Sequence, residues 1–153
     1  MTAIMLMATT AAYAVAPTAE EQACFDAINQ MRAKAGLPAF TLSAELSEGC
    51  RSWSATLRKK KHLEHAQSLE NCACGYTDGA ATFRQWYASP AHRALLLHRS
   101  AVAAGIGNDG AYWTFRIRER EREREVTKTF SATNDAVTFT ATKRRTSGRH
   151  CCR

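Results

Sequence analysis

The sequence predicts an α+β domain, and three observations carry that reading. Two stretches in the first half, Glu20 to Ala35 and Ser43 to Lys61, repeat apolar residues at helical spacing. A strand, turn, strand pattern runs from Ala101 to Ile117 around Asn108-Asp109-Gly110. Between them lie two short segments with helix-start chemistry, at Asp78-Gly79 and Ser89-Pro90. At 153 residues and 45% apolar content, one domain with a real core is the expectation.

The first helix carries Cys24, Ala27, Ile28, Met31 and Ala35 on one stripe. Glu20 and Glu21 sit in its first turn, where the helix dipole favours anions, and Gly36 and Pro38 end it. Asn29 and Arg32 fall on the other flank. The second helix is capped by Ser43, with the stripe Leu46, Cys50, Trp53 and Leu57. Its last turn, Arg58-Lys59-Lys60-Lys61, suits the negative end of the dipole and reads as a solvated terminus, with His62 exposed beside it.

Leu63 to Gly75 reads as a helix end followed by a loop. His65 and Glu70 are five apart, so they meet only if the chain turns between them. Ala80 to Ala88 reads as a short helix with Phe83, Trp86 and Tyr87 inward. Ser89 caps the next, from Pro90 to about His98, which buries Leu95, Leu96 or both. His92 then occupies the third helical position. The positive helix end favours its neutral ring, the form that ligates a metal or accepts a proton.

Charge is uneven along the chain. Lys and Arg outnumber Asp and Glu by 12 to 9 up to Arg118 and by 9 to 5 beyond it. Residues 119–153 thus read as a basic extension, disordered or holding a weak hairpin from Val126 to Ser131 and Ala136 to Thr142. The Arg-alternating run from Arg116 to Arg124 buries nothing in either helix or strand form. With no aromatic residues interleaved in the basic tail from Arg144 to Arg153, nucleic-acid binding is not predicted. Residues 1–19 lack charged side chains and are apolar from Ala3 to Ala16, resembling a secretory signal peptide cut after Ala14. The run is too short to span a bilayer. Six cysteines, Cys24, Cys50, Cys72, Cys74, Cys151 and Cys152, favour an oxidising compartment and disulfides of unspecified pairing. Cys24 and Cys50 fit buried free thiols equally well, and no metal is assigned to any thiol.

In order along the chain come Asn29 and Arg32, the His65 helix end, Glu70-Asn71-x-Ala73-x-Gly75-Tyr76, Trp86-Tyr87, Ser89-Pro90-x-His92-Arg93, Gly105-Ile106-Gly107 and Tyr112-Trp113. This series resembles the CAP superfamily of cysteine-rich secretory, antigen 5 and pathogenesis-related proteins, in its compact SCP-like form, over roughly residues 20–118. The resemblance implies an α-β-α sandwich with a three-stranded antiparallel sheet between helices, and a secreted protein. It also implies hydrogen-bonding roles for Asn29 and Arg32, and a cleft of two His and two Glu in which some members bind divalent metal. The second Glu would fall near Ser89, so this chain lacks it.

The expected cleft comprises His65, Glu70, Asn71, Tyr76, Ser89 and His92. Two histidines beside a carboxylate suit zinc or another divalent cation on His65 and His92. The plainer reading is a hydrogen-bonded cluster in which Asn71 and Tyr76 satisfy buried groups. Function is read as a monomeric, non-catalytic extracellular binding module for lipid, sterol or protein, with no required cofactor. The alternative is a metal-dependent hydrolase or protease using Glu70, His65 and His92. Ser68 and Ser89 are poor nucleophiles for it, because neither lies in a nucleophile elbow.

Overall fold

The computed structural model describes residues 15–120. The signal-like start before Val15, the second hairpin, and Cys151 and Cys152 lie outside the described residues. Eight elements follow in order: α1 (Ala19–Lys34), β1 (Thr41–Leu42), α2 (Ala44–Lys60), β2 (Glu70–Cys74), α3 (Gly79–Ala88), α4 (Pro90–Leu96), β3 (Ala101–Asp109) and β4 (Tyr112–Glu119).

The strands form one sheet in the order β1-β3-β4-β2. Pairing is antiparallel except for β1, whose two residues run parallel to β3 at Ala103 and Ala104. The sheet therefore has four strands, where three antiparallel ones are expected. β1 is too short to show any period-2 pattern, which hides it in the sequence. The third long strand is β2, in the segment read as a loop. Four of its five residues are buried, so it lacks the half-polar alternation that marks a strand with one wet face.

Strand alternation sorts the sheet residues into two layers. Trp113, Phe115 and Ile117 of β4 and Ala73 of β2 pack against Cys24, Phe25 and Ile28 of α1, Trp86 of α3 and Leu96 of α4. Thr114 and Arg116 point the other way, toward α2, where the Ser54 hydroxyl hydrogen-bonds Thr114 Oγ1 at 2.9 Å. The result is helix, sheet, helix.

α2 lies unusually close to β3. A Cβ on Gly105 would stand 2.4 Å from Leu46, and one on Gly107 2.3 Å from the Arg51 nitrogen. The bare backbone also lets Ser47 Oγ accept from Ile106 N–H at 3.2 Å and Ser54 Oγ donate to the Gly107 carbonyl at 3.0 Å. The buried face of α2 is accordingly Ser47, Cys50, Ser54 and Leu57, with Trp53 at its border, and not the purely apolar stripe.

α1 likewise buries charge. Glu21 and Arg32 join Cys24, Phe25 and Ile28 on its inner face. Arg32 Nε donates to the Pro38 carbonyl at 2.8 Å, and Nη1 donates to the Leu96 and His98 carbonyls at 2.9 and 3.0 Å. Its guanidinium also stacks 3.6 Å above the Phe40 ring. Asn29 brackets the Phe40 backbone, donating to its carbonyl and accepting from its N–H. These two side chains bind the α1 to β1 connection to the end of α4.

Smaller differences have local causes. β3 and β4 are longer than read, because the turn is the two residues Gly110 and Ala111 and the ladder reaches Asp109 and Tyr112. Of the three aromatic residues of α3 only Trp86 is fully buried; Phe83 is partly so and Tyr87 is exposed.

Candidate functional site

Glu70 opens strand β2, and this sets the geometry of the site. Alternation along β2 puts Glu70 and Cys72 on the α2 face and Asn71 and Ala73 on the opposite one. In the ladder Glu70 stands directly across from Arg116. Arg116 Nε donates to Glu70 Oε2 at 2.6 Å, and the Glu70 side chain is wholly buried. Arg116 is thus no solvated member of a charge run but the counter-ion of the central carboxylate.

Glu70 Oε1 gathers the remaining donors. The Ala66 N–H reaches it at 2.9 Å and the Cys72 thiol at 3.4 Å, while His65 Nδ1 lies 3.6 Å away. His65 comes from the loop after α2 and not from a helix end, and its ring is about half exposed, at 54%. Burial, reinforced by the neighbouring Glu70 charge, pushes the Cys72 thiol up to about 12.

His92 belongs to the other layer. The Asn71 amide donates to the His92 carbonyl at 3.0 Å, tying β2 to α4. The His92 Nδ1 atom is buried without a hydrogen-bond partner. Burial, with a further contribution from His65, holds the ring below the ordinary imidazole range. Neutrality therefore follows from desolvation rather than from the dipole of a seven-residue helix. Ser89 occupies the N-cap position, but its side chain makes no capping hydrogen bond. Tyr76 satisfies a buried group through its backbone carbonyl, which accepts from Trp113 Nε1 at 2.7 Å; its ring is exposed.

The expected six residues are therefore spread around one sheet edge. Among the described residues, the donors that converge closely enough for a metal are His65, Glu70 and Cys72, whose ligand atoms lie within 4.8 Å of one another. His92 is not one of those three, although its ring lies near enough to His65 to feel its charge. Glu70 is a poor general base, because its side chain is wholly buried and its Oε2 is paired with Arg116. The four described cysteines are free thiols.

Sequence reasoning missed Arg116, Cys72, Glu21 and Arg51. Arg116 and Cys72 needed the β2 register. Glu21 had a local signal, because Thr18-x-x-Glu21 is a capping box, and both of its reciprocal hydrogen bonds form. That carboxylate also takes Arg51 Nη2 at 2.6 Å and the Asn108 N–H at 3.2 Å.

Two surface cavities lie away from the histidines. One, of about 810 Å³, is bordered by Pro38, Thr41, Arg99, Ser100 and Glu119. The other, of about 440 Å³, runs between α1 and α3 and is lined by Ala27, Met31, Phe83, Tyr87 and Leu97, with Lys34 at its border.

Comparison with known proteins places these features in a family. Residues 25–109 match the profile of CAP, the cysteine-rich secretory protein family. Secreted protein RBT4 of Candida albicans is 35% identical over 68 residues, which are 43% of this chain and 19% of that protein. The matched part is thus about a fifth of that relative's length. An extracellular SCP-domain protein of Bacillus anthracis superposes with a TM-score of 0.62 at 21% identity, covering 66% of this chain and 40% of that one. An outer surface protein of Borrelia burgdorferi superposes at 0.59 with 13% identity, covering 69% and 97%. At those identities the likeness shows the fold. No helix among the described residues is long and apolar enough to cross a membrane.

Proposed function

Because the chain belongs to the CAP, or cysteine-rich secretory protein, family, we propose that it acts outside the cell as a non-catalytic binding module. Its ligand is a lipid or sterol whose apolar part lies between α1 and α3. The observation that carries this reading is the groove of about 440 Å³ there. Ala27 and Met31 on α1, and Phe83 and Tyr87 on α3, are each spaced by four and so give two facing apolar rows. Phe83 and Tyr87 stack at 5.8 Å, making one wall flat. Lys34 at the border supplies a cation for a polar headgroup. The groove is open to solvent, with Gln30 beside Lys34 as its polar side chains, so a ligand would lay an apolar face along it and keep a polar end in water.

The burial of Glu70 and its pairing with Arg116 disfavour the hydrolytic alternative with Glu70 as base. Titration with a fluorescent fatty acid and a fluorescent sterol tests the binding reading. Ala27→Phe, which fills the groove, is expected to abolish binding in a protein that still melts cooperatively. The double change His65→Ala, His92→Ala is expected to leave it within about twofold, on the order of 0.4 kcal/mol. Loss in the histidine variant with retention in Ala27→Phe contradicts the proposal.

A further inference from the structure

We propose that His65, Glu70 and Cys72 form a site for a borderline-soft divalent cation of the zinc type, with Cys72 as its thiolate ligand. This site lies on the α2 face of β2 and is independent of the lipid groove. Its donor set differs from the expected pair of His65 and His92 by including the Cys72 thiol. His65 offers Nδ1, Glu70 offers Oε1 and Cys72 offers Sγ.

The spacing suits four-coordinate geometry. Tetrahedral zinc bonds of about 2.0–2.3 Å put neighbouring ligand atoms about 3.3–3.6 Å apart. Sγ to Oε1 is 3.4 Å and Nδ1 to Oε1 is 3.6 Å. The third edge closes by movement of the exposed His65 ring, while Glu70 and Cys72 are already fixed on the strand. Alternation is what aligns them: positions 70 and 72 face the same way on β2.

The carboxylate is shared without conflict. Arg116 takes Oε2 and leaves Oε1, whose second lone pair receives the Ala66 N–H as an outer hydrogen bond. The Cys72 thiol faces both Oε1 at 3.4 Å and the Glu64 carbonyl at 3.5 Å, and its proton is the one a cation displaces. Binding then forms one sulfur–metal bond and releases one proton to solvent, and the metal stabilises the thiolate that burial alone disfavours. Water fills the fourth corner beside the exposed His65 ring.

Cobalt(II) titration of the full chain, reduced with a non-thiol phosphine, tests the proposal. Wild type is expected to bind one equivalent, with a sulfur-to-cobalt charge-transfer band in the near ultraviolet. Cys72→Ser and Cys72→Ala lose the band, His65→Ala binds at least tenfold more weakly, and His92→Ala and Cys74→Ser keep it. No band in saturated wild type overturns the proposal however the variants fold. A band that survives in a folded Cys72 variant, or that is lost only in His92→Ala, overturns it as well.

Discussion

Two buried carboxylates, Glu21 and Glu70, make nearly the same primary bond and serve different ends. Each has a fully buried side chain, and each accepts an arginine hydrogen bond at 2.6 Å, from Arg51 and Arg116 respectively. Glu21 is otherwise closed: the Thr18 and Asn108 N–H groups complete its shell, and all its partners are hard donors fixed by backbone or helix. Glu70 keeps one oxygen turned toward a thiol and an exposed imidazole. Similar buried ion pairs can thus be a fastener or a site: Arg51 reaches both Glu21 oxygens, whereas Arg116 takes only one of Glu70.

The largest expected effect comes from breaking the closed centre. Glu21→Ala removes the cap, the Arg51 pair and the Asn108 tie together and is expected to cost about 4 kcal/mol in urea unfolding. Arg116→Met leaves the Glu70 carboxylate buried without its cation, for about 3 kcal/mol. Saturating zinc is expected to recover part of that loss, because a ligand held by the native state stabilises it, and to recover nothing specific in Glu21→Ala. Gly107→Ala, which forces α2 off the sheet beneath both centres, is expected to lower stability by about 2 kcal/mol.

Acid separates the regions more gently. The folded His92 pKa is depressed, so the unfolded chain binds the extra proton first, and stability declines as pH falls below about 6.5. His92→Gln should flatten that part of a melting-temperature profile. For Glu21 burial acts to raise the pKa, but the Arg51 and backbone hydrogen bonds outweigh it, and the net shift is downward. Its contribution is full above the unfolded carboxylate value near 4.3 and disappears as pH falls through the lower folded value. A second decline confined to strongly acidic solution, absent from Glu21→Ala, is the expected profile.

The same contrast explains what was legible in the sequence. Helices α1 and α2, their stops at Gly36 and the basic turn, and the β3–β4 hairpin all announce themselves through local period and turn chemistry. The Thr18 to Glu21 capping box was equally local. Arg116 and Cys72 were not, because their meaning depends on which strand β2 pairs with and in what register. The almost wholly buried run from Glu70 to Cys74 has no visible alternation to reveal it. The hydrogen-bonding role of Arg32 was legible through the resemblance alone, because its partners at Leu96 and His98 lie far along the chain and its burial has no local signal. Family resemblance pointed to His65, Glu70 and His92; that His92 is anchored to β2 by the Asn71 amide on its backbone carbonyl is a long-range contact with no local signal.

Zinc-edge X-ray absorption of the zinc-loaded, reduced full chain tests most directly whether Glu70 is the open centre. The account predicts a shell containing one sulfur at about 2.3 Å together with nitrogen and oxygen at about 2.0 Å, and loss of the sulfur in Cys72→Ser. A shell of nitrogen and oxygen alone, unchanged by Cys72→Ser, would contradict it.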